Sequence, residues 1–260
     1  MKKYTAICLT LALISSTALS ACAQTTASVN TSSPSQLQAS QTIKSTNSIA
    51  TPLSTTSTYS SINSKHLKFD AGVKQFFGTD VDSTLSKIEP LLISAGRAEK
   101  AYKTQFISYG EPLEPNVAWS IVHTLLNTYE YKNSEVSQKS DGTLVVTAKG
   151  MKEIFSTAFI DFSGEIPKIP SDYDDMITLD KNGNYNISRS DGDELDFQLK
   201  NITISKANSA TDPTQSATII MDVLSSEGDK LTTVAVEVRH NINSTFLYSI
   251  QSVEIINDEE

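Results

Sequence analysis

The sequence predicts an α+β fold in which N-terminal helices pack on one face of a C-terminal antiparallel sheet of about four or five strands. Two observations lead to this prediction. Apolar residues recur at helical spacing over 81–131, and beyond residue 176 the apolar period changes to two. Helical segments followed by alternating strands favour an antiparallel sheet with one buried face over a parallel α/β arrangement.

The helical part contains two long patterns. The first begins at Val81 and runs to Tyr109, and Gly110 is well placed to end it. Pro90 either kinks one long helix or opens a second helix at its first turn, where proline is tolerated. A second helix with a broad apolar stripe is predicted over 115–131.

The strands begin with a hairpin over 135–148 that turns at Asp141-Gly142, a pair suited to a tight turn. A short helix follows over 151–159, and another hairpin is expected over 176–188. In the strand that begins at Leu195, the apolar phase shifts at Lys200-Asn201, which predicts a bulge. Further alternating segments over 217–223, 232–238 and 246–256 complete the sheet.

The order of these elements is similar to that of cystatin-like rolls and of nuclear-transport-factor-like rolls. A likeness at this level concerns the fold and carries no function.

The amino terminus has the pattern of a secretory signal. Lys2 and Lys3 form a positive n-region, and Ile7–Ile14 is an apolar h-region that is too short to span a bilayer comfortably. The tetrapeptide Leu19-Ser20-Ala21-Cys22 that follows resembles the lipobox of bacterial lipoproteins. The resemblance implies cleavage before Cys22, a diacylglycerol thioether on its sulfur, and further acylation with a fatty acid such as palmitate. The alternative is an ordinary signal cleaved near Ala23.

The cysteine content agrees with lipidation. Of the two cysteines, Cys8 lies in the segment that would be removed, so the mature chain would keep only Cys22. A single cysteine in an exported protein is either a free thiol or a modified one. Either state excludes an internal disulfide.

The composition changes sharply after the lipobox. Residues 23–64 are rich in Ser and Thr, and Lys44 is the only charged residue among them. Such a segment cannot bury enough apolar surface to offset its ordering entropy. We therefore expect a signal peptide over 1–21, a lipid-anchored disordered tether over 22–64, which is a plain spacer or carries O-linked sugars, and a single α+β domain over 65–260.

The formal net charge of the chain is -9, which disfavours binding to nucleic acid because phosphate backbones repel an acidic protein. Attachment to a membrane would then depend on the lipid at Cys22 rather than on a basic patch. We expect an extracytoplasmic location on the cell membrane or the outer membrane.

The sequence offers no assembled catalytic set. His66, His123 and His240 stand alone, and the motifs of zinc proteases, serine hydrolases and phosphate-binding loops are absent. Acidic residues concentrate over 172–196, where Asp180–Asn184 starts like a calcium loop and then departs from it. A solvated acidic hairpin is the preferred interpretation. We predict no cofactor, no metal ligand and no catalytic residue.

The leading hypothesis is therefore a lipid-anchored, non-enzymatic envelope protein that binds a protein, peptidoglycan or a small molecule. A polar pocket between sheet and helices would favour a ligand, and a broad apolar sheet face would favour a protein partner. The alternatives are an envelope hydrolase with a pair of buried carboxylates, one of them with a displaced pKa, and a calcium-stabilised domain.

Overall fold

The computed structural model describes residues 62–64, 67–102, 106–107, 112–129, 133–160, 162–190, 194–205 and 214–256. The predicted leader, the lipobox with Cys22, and the predicted tether as far as residue 61 lie outside these ranges, as does His66.

The helices begin where the sequence supplies a capping side chain. Their bounds are α1 (Ala71–Phe77), α2 (Val81–Tyr102), α3 (Pro115–Asn127) and α4 (Ala148–Ala158), with a 3-10 helix over Ser171–Tyr173. Side chains of Asp70, Glu114 and Thr147 accept hydrogen bonds from the first-turn N–H groups of α1, α3 and α4. Each bond satisfies a donor that a helix start otherwise leaves unpaired.

The strands fall into two sheets. Their bounds are β1 (Ile62–Asn63), β2 (Phe106–Ile107), β3 (Val136–Gln138), β4 (Leu144–Val146), β5 (Ile177–Leu179), β6 (Tyr185–Ile187), β7 (Leu195–Ile204), β8 (Ser216–Ser225), β9 (Lys230–His240) and β10 (Tyr248–Ile256). The larger sheet has the order β1-β7-β8-β9-β10-β2, and the smaller has the order β3-β4-β6-β5. All pairs are antiparallel except β1 with β7, which is parallel.

The predicted α+β class is confirmed. The meander β7-β8-β9-β10 follows four helices, and the register of β7 shifts between Leu199 and Asn201, where the bulge was expected. The smaller sheet was not anticipated. It forms because the two predicted hairpins pair with each other through β4 and β6.

One helix prediction needs correction, and one helix was missed. Pro90 lies inside a single helix, which is the first of the two alternatives, but this helix ends at Tyr102 and not at Gly110. Phe106 and Ile107 instead pair with β10, because strand pairing overrides a helical apolar period. Helix α1 was not predicted, although Asp70 provides a start signal, since the helix is only two turns long.

The main core lies between α2, α3, α4 and the larger sheet. Helix α2 approaches the sheet at Gly96, where a Cβ atom would come within 2.7 Å of the Phe197 ring. Trp119, Phe155 and Phe159 are among the fully buried side chains. None of the helices that the structure describes has the length and apolar character needed to cross a bilayer.

Candidate functional site

The first strand and the residue after it cross the edge of the larger sheet, and we call Ile62, Asn63 and Ser64 the strap. The sequence assigned these residues to the end of the tether, but the structure pairs Ile62 and Asn63 with β7. The Ile62 N–H donates a hydrogen bond to the Glu89 carboxylate, and Ser64 Oγ donates to Asp82 Oδ1 at 3.1 Å. The strap is therefore joined to both β7 and α2.

The strap and α2 enclose a cleft of about 300 Å³, which we call the strap cleft. Aliphatic side chains, hydroxyl groups and carboxylates line it: Ile62, Ser64, Leu67, Asp82, Leu85, Ser86 and Glu89. Among these lining residues there is no lysine, arginine or histidine. Within the described part of the chain, the cleft thus combines an apolar wall with two carboxylates and no basic lining residue.

The helix sets the spacing of the two carboxylates. Asp82 and Glu89 are seven residues apart on α2, which places them on one side of the helix with about 10 Å between their Cα atoms. Glu89 is half-buried, and burial raises its pKa above the ordinary value although the Ile62 N–H opposes the shift. Asp82 is exposed at the cleft mouth.

This geometry suits a ligand that carries positive charge on an aliphatic chain. Ammonium groups pair with carboxylates through short, charge-assisted hydrogen bonds. Leu67 and Leu85 would contact the chain, while Ser86 offers a hydroxyl between the two acids. Within the described ranges, no group of three or more His, Cys, Asp or Glu side chains could hold a metal ion.

A second, more open cleft of about 580 Å³ lies beside α4. It is lined by Lys149, Lys152, Glu153 and Phe162, among others. Lys149 is already paired with Glu135 at 2.8 Å and with Glu153 at 3.3 Å. The charge of Lys149 is thus compensated by two carboxylates of the same chain.

The two described histidines have structural positions. His123 is buried, its Nε2 lies 3.3 Å from the Ser188 carbonyl oxygen, and burial lowers its pKa. His240 Nε2 lies 3.1 Å from the Phe76 carbonyl oxygen, and its ring packs on that of Tyr248. Neither histidine lines either of the two clefts.

The loop that begins like a calcium site is a hydrogen-bonded hairpin turn. The Asp180 carboxylate accepts bonds from the Asn182 N–H at 2.7 Å and from the Asn184 N–H at 2.9 Å. The bond from Asn184 is the main reason why the pKa of Asp180 is lowered. The same carboxylate accepts a third bond from the Asn184 side chain. These bonds engage both oxygens of the Asp180 carboxylate.

Two buried carboxyl groups, those of Asp222 and Glu99, are relevant to the alternative of an envelope hydrolase with a carboxylate pair. Asp222, on the outer face of the larger sheet, accepts a hydrogen bond from Thr233 and pairs with Lys200 and Lys230. Glu99 of α2 is 1% exposed, and neither carboxylate oxygen has a hydrogen-bond partner among the described residues. Burial and, secondarily, the charge of Glu254 raise the pKa of Glu99 to about 7. Glu99 lines neither cleft.

Sequence reasoning did not find the strap cleft. The spacing of Asp82 and Glu89 shows that they share one face of a helix. Acidic residues on one helix face usually point into solvent and form no site. The contact between residues 62–64 and α2 has no local signal. Comparison of the chain with protein-family models, with curated proteins and with solved structures finds no match.

Proposed function

We propose that the protein is a lipid-anchored component of a bacterial cell envelope whose α+β domain binds a small cationic ligand in the strap cleft and performs no reaction on it. The observation that carries this proposal is the cleft itself, whose described lining residues supply two carboxylates and an apolar wall and include no basic side chain. The anchor rests on the lipobox resemblance at Cys22.

The outer face of the larger sheet favours a ligand over a broad protein interface. This face carries charged and hydroxyl side chains such as Asp222, Thr233 and Glu237. Glu237 accepts hydrogen bonds from the hydroxyl groups of Ser216 and Ser252. Around these internally bonded polar groups we expect the face to be poorly suited to a broad apolar protein interface.

The binding test compares two probes of equal length. The mature chain, residues 22–260, is titrated calorimetrically with 1,6-diaminohexane and with 1,6-hexanediol, which lacks the charges. We expect the diamine to bind and the diol not to bind, and added salt to weaken the binding because exposed charge pairs are screened. Equal binding of both probes would show that the cleft does not recognise the charge of the ligand.

Matched variants locate the bound diamine. Asp82→Asn and Glu89→Gln should each weaken binding by about fivefold, the cost of one partly exposed ion pair. Asp80→Asn is the control, because Asp80 accepts a hydrogen bond from the Ser83 N–H and lies outside the cleft. A loss at Asp80 as large as that at Asp82 would contradict the assignment.

Free diamines and the amino groups of peptidoglycan stem peptides both present an ammonium group on an aliphatic chain. A further titration uses soluble peptidoglycan fragments with free or acetylated amino groups. Binding of only the free form would identify the cell wall as the source of the ligand, whereas binding of diamine alone would identify a soluble amine.

The anchor has its own test. Mass spectrometry of the mature amino-terminal peptide should show diacylglycerol on Cys22, and Cys22→Ser should move the protein out of the membrane fraction. An unmodified Cys22 or an intact Met1 would refute the anchor without affecting the binding test.

The second candidate, the envelope hydrolase, would use a buried acid such as Glu99, although Glu99 lines neither of the two clefts. A buried carboxyl group with a pKa of about 7, as in Glu99, is suited to donate a proton near neutral pH. The test is release of soluble fragments from purified peptidoglycan by the mature chain. Release that disappears in Glu99→Gln would replace the binding proposal; absence of release would end the hydrolase candidate.

A further inference from the structure

The loop between β9 and β10 exposes two large aliphatic side chains at one end of the larger sheet. Ile242 is 89% exposed and Leu247 is 54% exposed. We call this pair the apolar tip. Between Arg239 and Glu254 the sequence contains no Asp, Glu, Lys or Arg, although the chain as a whole is strongly acidic. The apolar tip is therefore surrounded by uncharged residues of its own loop.

The loop holds the tip in one conformation. The Asn241 N–H donates to the Leu247 carbonyl oxygen at 2.9 Å, and the Leu247 N–H donates to the Ser244 carbonyl oxygen at 2.9 Å. Leu247 has a φ of 62°, a left-handed conformation that leucine rarely adopts. With this backbone, Phe246 is buried while Leu247 faces outward.

Side chains of the loop also bind it to the end of α4. The Asn241 side-chain amide donates to the Ser156 carbonyl oxygen at 3.1 Å. The hydroxyl groups of Ser244 and Ser249 both donate to the Thr157 carbonyl oxygen, at 3.0 Å and 2.7 Å. The two aliphatic side chains are thus presented by a rigid support, so little entropy is lost when they are buried.

The tip lies at the end of the sheet opposite to the point where the chain enters from the predicted tether. Because β1 runs parallel to β7 with Ile62 beside Phe197, the chain enters near the β8–β9 turn, and the β9–β10 loop lies at the far end. The long strands have ten residues, which corresponds to about 33 Å. A flexible tether of roughly 40 residues has an r.m.s. reach of about 35 Å.

We propose that the apolar tip inserts into the interfacial layer of the bilayer that carries the lipid anchor. The reach of the predicted tether matches the length of the sheet, so the tip meets the bilayer without stretching the chain. The loop carries no acidic residue that an anionic lipid surface would repel. Tethering supplies an effective concentration on the order of millimolar, at which burial of two aliphatic side chains suffices to populate the inserted state. This inference rests on the lipid anchor of the proposed function.

The test imposes the anchor chemically, so that its outcome does not depend on lipidation in the cell. The mature chain, residues 22–260, is coupled through Cys22 to a maleimide lipid in vesicles of phosphatidylcholine with a minor fraction of phosphatidylglycerol. Ile242→Trp reports on the tip, and Leu231→Trp is the matched control. Leu231 is an exposed leucine near the opposite end of β9, at the same end of the sheet as the tether entry. The native Trp119 is fully buried and provides a constant background.

We expect the emission of the Ile242→Trp variant to shift to the blue and to be quenched by brominated lipid, while that of Leu231→Trp does neither. In the uncoupled chain, Ile242→Ser combined with Leu247→Asn should lower vesicle partitioning by at least about tenfold. Asparagine tolerates the left-handed conformation, and an unchanged Trp119 emission verifies the fold.

Two results would overturn the proposal. Equal or stronger quenching in Leu231→Trp would show that the tether-entry end meets the bilayer instead. A blue shift in Ile242→Trp that grows with protein concentration in the absence of vesicles would show that a second copy covers the tip. Refutation of lipidation by mass spectrometry would remove the biological setting but not the measured insertion.

Discussion

Carboxylates on the two sides of the larger sheet differ in their hydrogen-bond and ion-pair partners. On the outer face, Asp222 is buried but receives a hydrogen bond from Thr233 and ion pairs from two lysines, and its pKa is lowered although burial alone would raise it. On the helix side, α2 carries Asp82, Glu89 and Glu99, and no described ion pair joins any of them to a basic side chain. The difference shows that donors and cations, more than burial, decide which acidic groups remain available to a ligand or a proton.

The largest expected effect concerns Glu99. Its folded-state pKa of about 7 lies above the ordinary value of 4.5, so the stability it contributes is fully present below about pH 4.5 and is lost as the pH rises through about 7. Glu99→Gln should therefore raise the free energy of unfolding at pH 8 by about 2–3 kcal/mol and flatten its pH dependence between 4.5 and 7. Urea unfolding at a series of pH values measures both. An unchanged pH profile would mean that Glu99 has a donor.

Asp222 should behave in the opposite sense. Asp222→Ala removes the partner of Thr233 and leaves Lys200 and Lys230 close together, which should cost about 2 kcal/mol in urea unfolding at pH 7. Because the folded-state pKa is below 3.8, this contribution should persist above pH 3.8 and disappear as the pH falls through that lower value. The exposed Asp82→Ala is the control and should change stability by less than about 0.5 kcal/mol. Equal losses of unfolding free energy in both variants would show that the partners of Asp222 do not distinguish it from an exposed carboxylate.

A lysine introduced into the strap cleft tests whether the carboxylates of the cleft are available because they have no cationic partner among the described residues. Ser86 lies on α2 four residues after Asp82 and three before Glu89, so a lysine there can pair with both. Ser86→Lys should reduce the affinity for 1,6-diaminohexane by about tenfold or more while stability changes little. Ser83→Lys, on the same helix but outside the cleft, is the matched control. Undiminished binding in Ser86→Lys would place the diamine elsewhere.

The smallest effect is expected at the strap. Glu89→Gln replaces a charged acceptor of the Ile62 N–H with a neutral one, which weakens that bond by about 1 kcal/mol. Hydrogen exchange at the Ile62 amide should become about fivefold faster. Asp82→Asn, which alters only the Ser64 contact, should leave that rate unchanged. An equal acceleration in both variants would mean that the strap detaches as a unit.

Local patterns predicted much of this fold. The phase shift at Lys200-Asn201 located the bulge, and Asp141-Gly142 located a hairpin turn in which Gly142 has a φ of 89°. These features depend on residues that are close in sequence. The smaller sheet and the strand at Phe106–Ile107 depend on pairing between distant segments, which no local period encodes.

The candidate site was harder to predict for the same reason. Glu89 becomes half-buried because Ile62, 27 residues earlier, donates to its carboxylate. The composition of the segment before residue 65 predicts an unstructured spacer and conceals a two-residue strand at its end. The seven-residue spacing of Asp82 and Glu89 encodes their shared helix face, whereas the wall opposite to it depends on a contact between distant segments.

The central claim is that an ammonium group of the ligand sits beside Glu89 in the strap cleft. The most direct measurement is an NMR pH titration of the Glu89 side-chain carboxyl carbon, with and without 1,6-diaminohexane. A bound cation favours the charged carboxylate, so the raised pKa of Glu89 should fall when the diamine is present. With 1,6-hexanediol, which carries no charge, the pKa of Glu89 should stay unchanged. A pKa of Glu89 that is identical under all three conditions would contradict it.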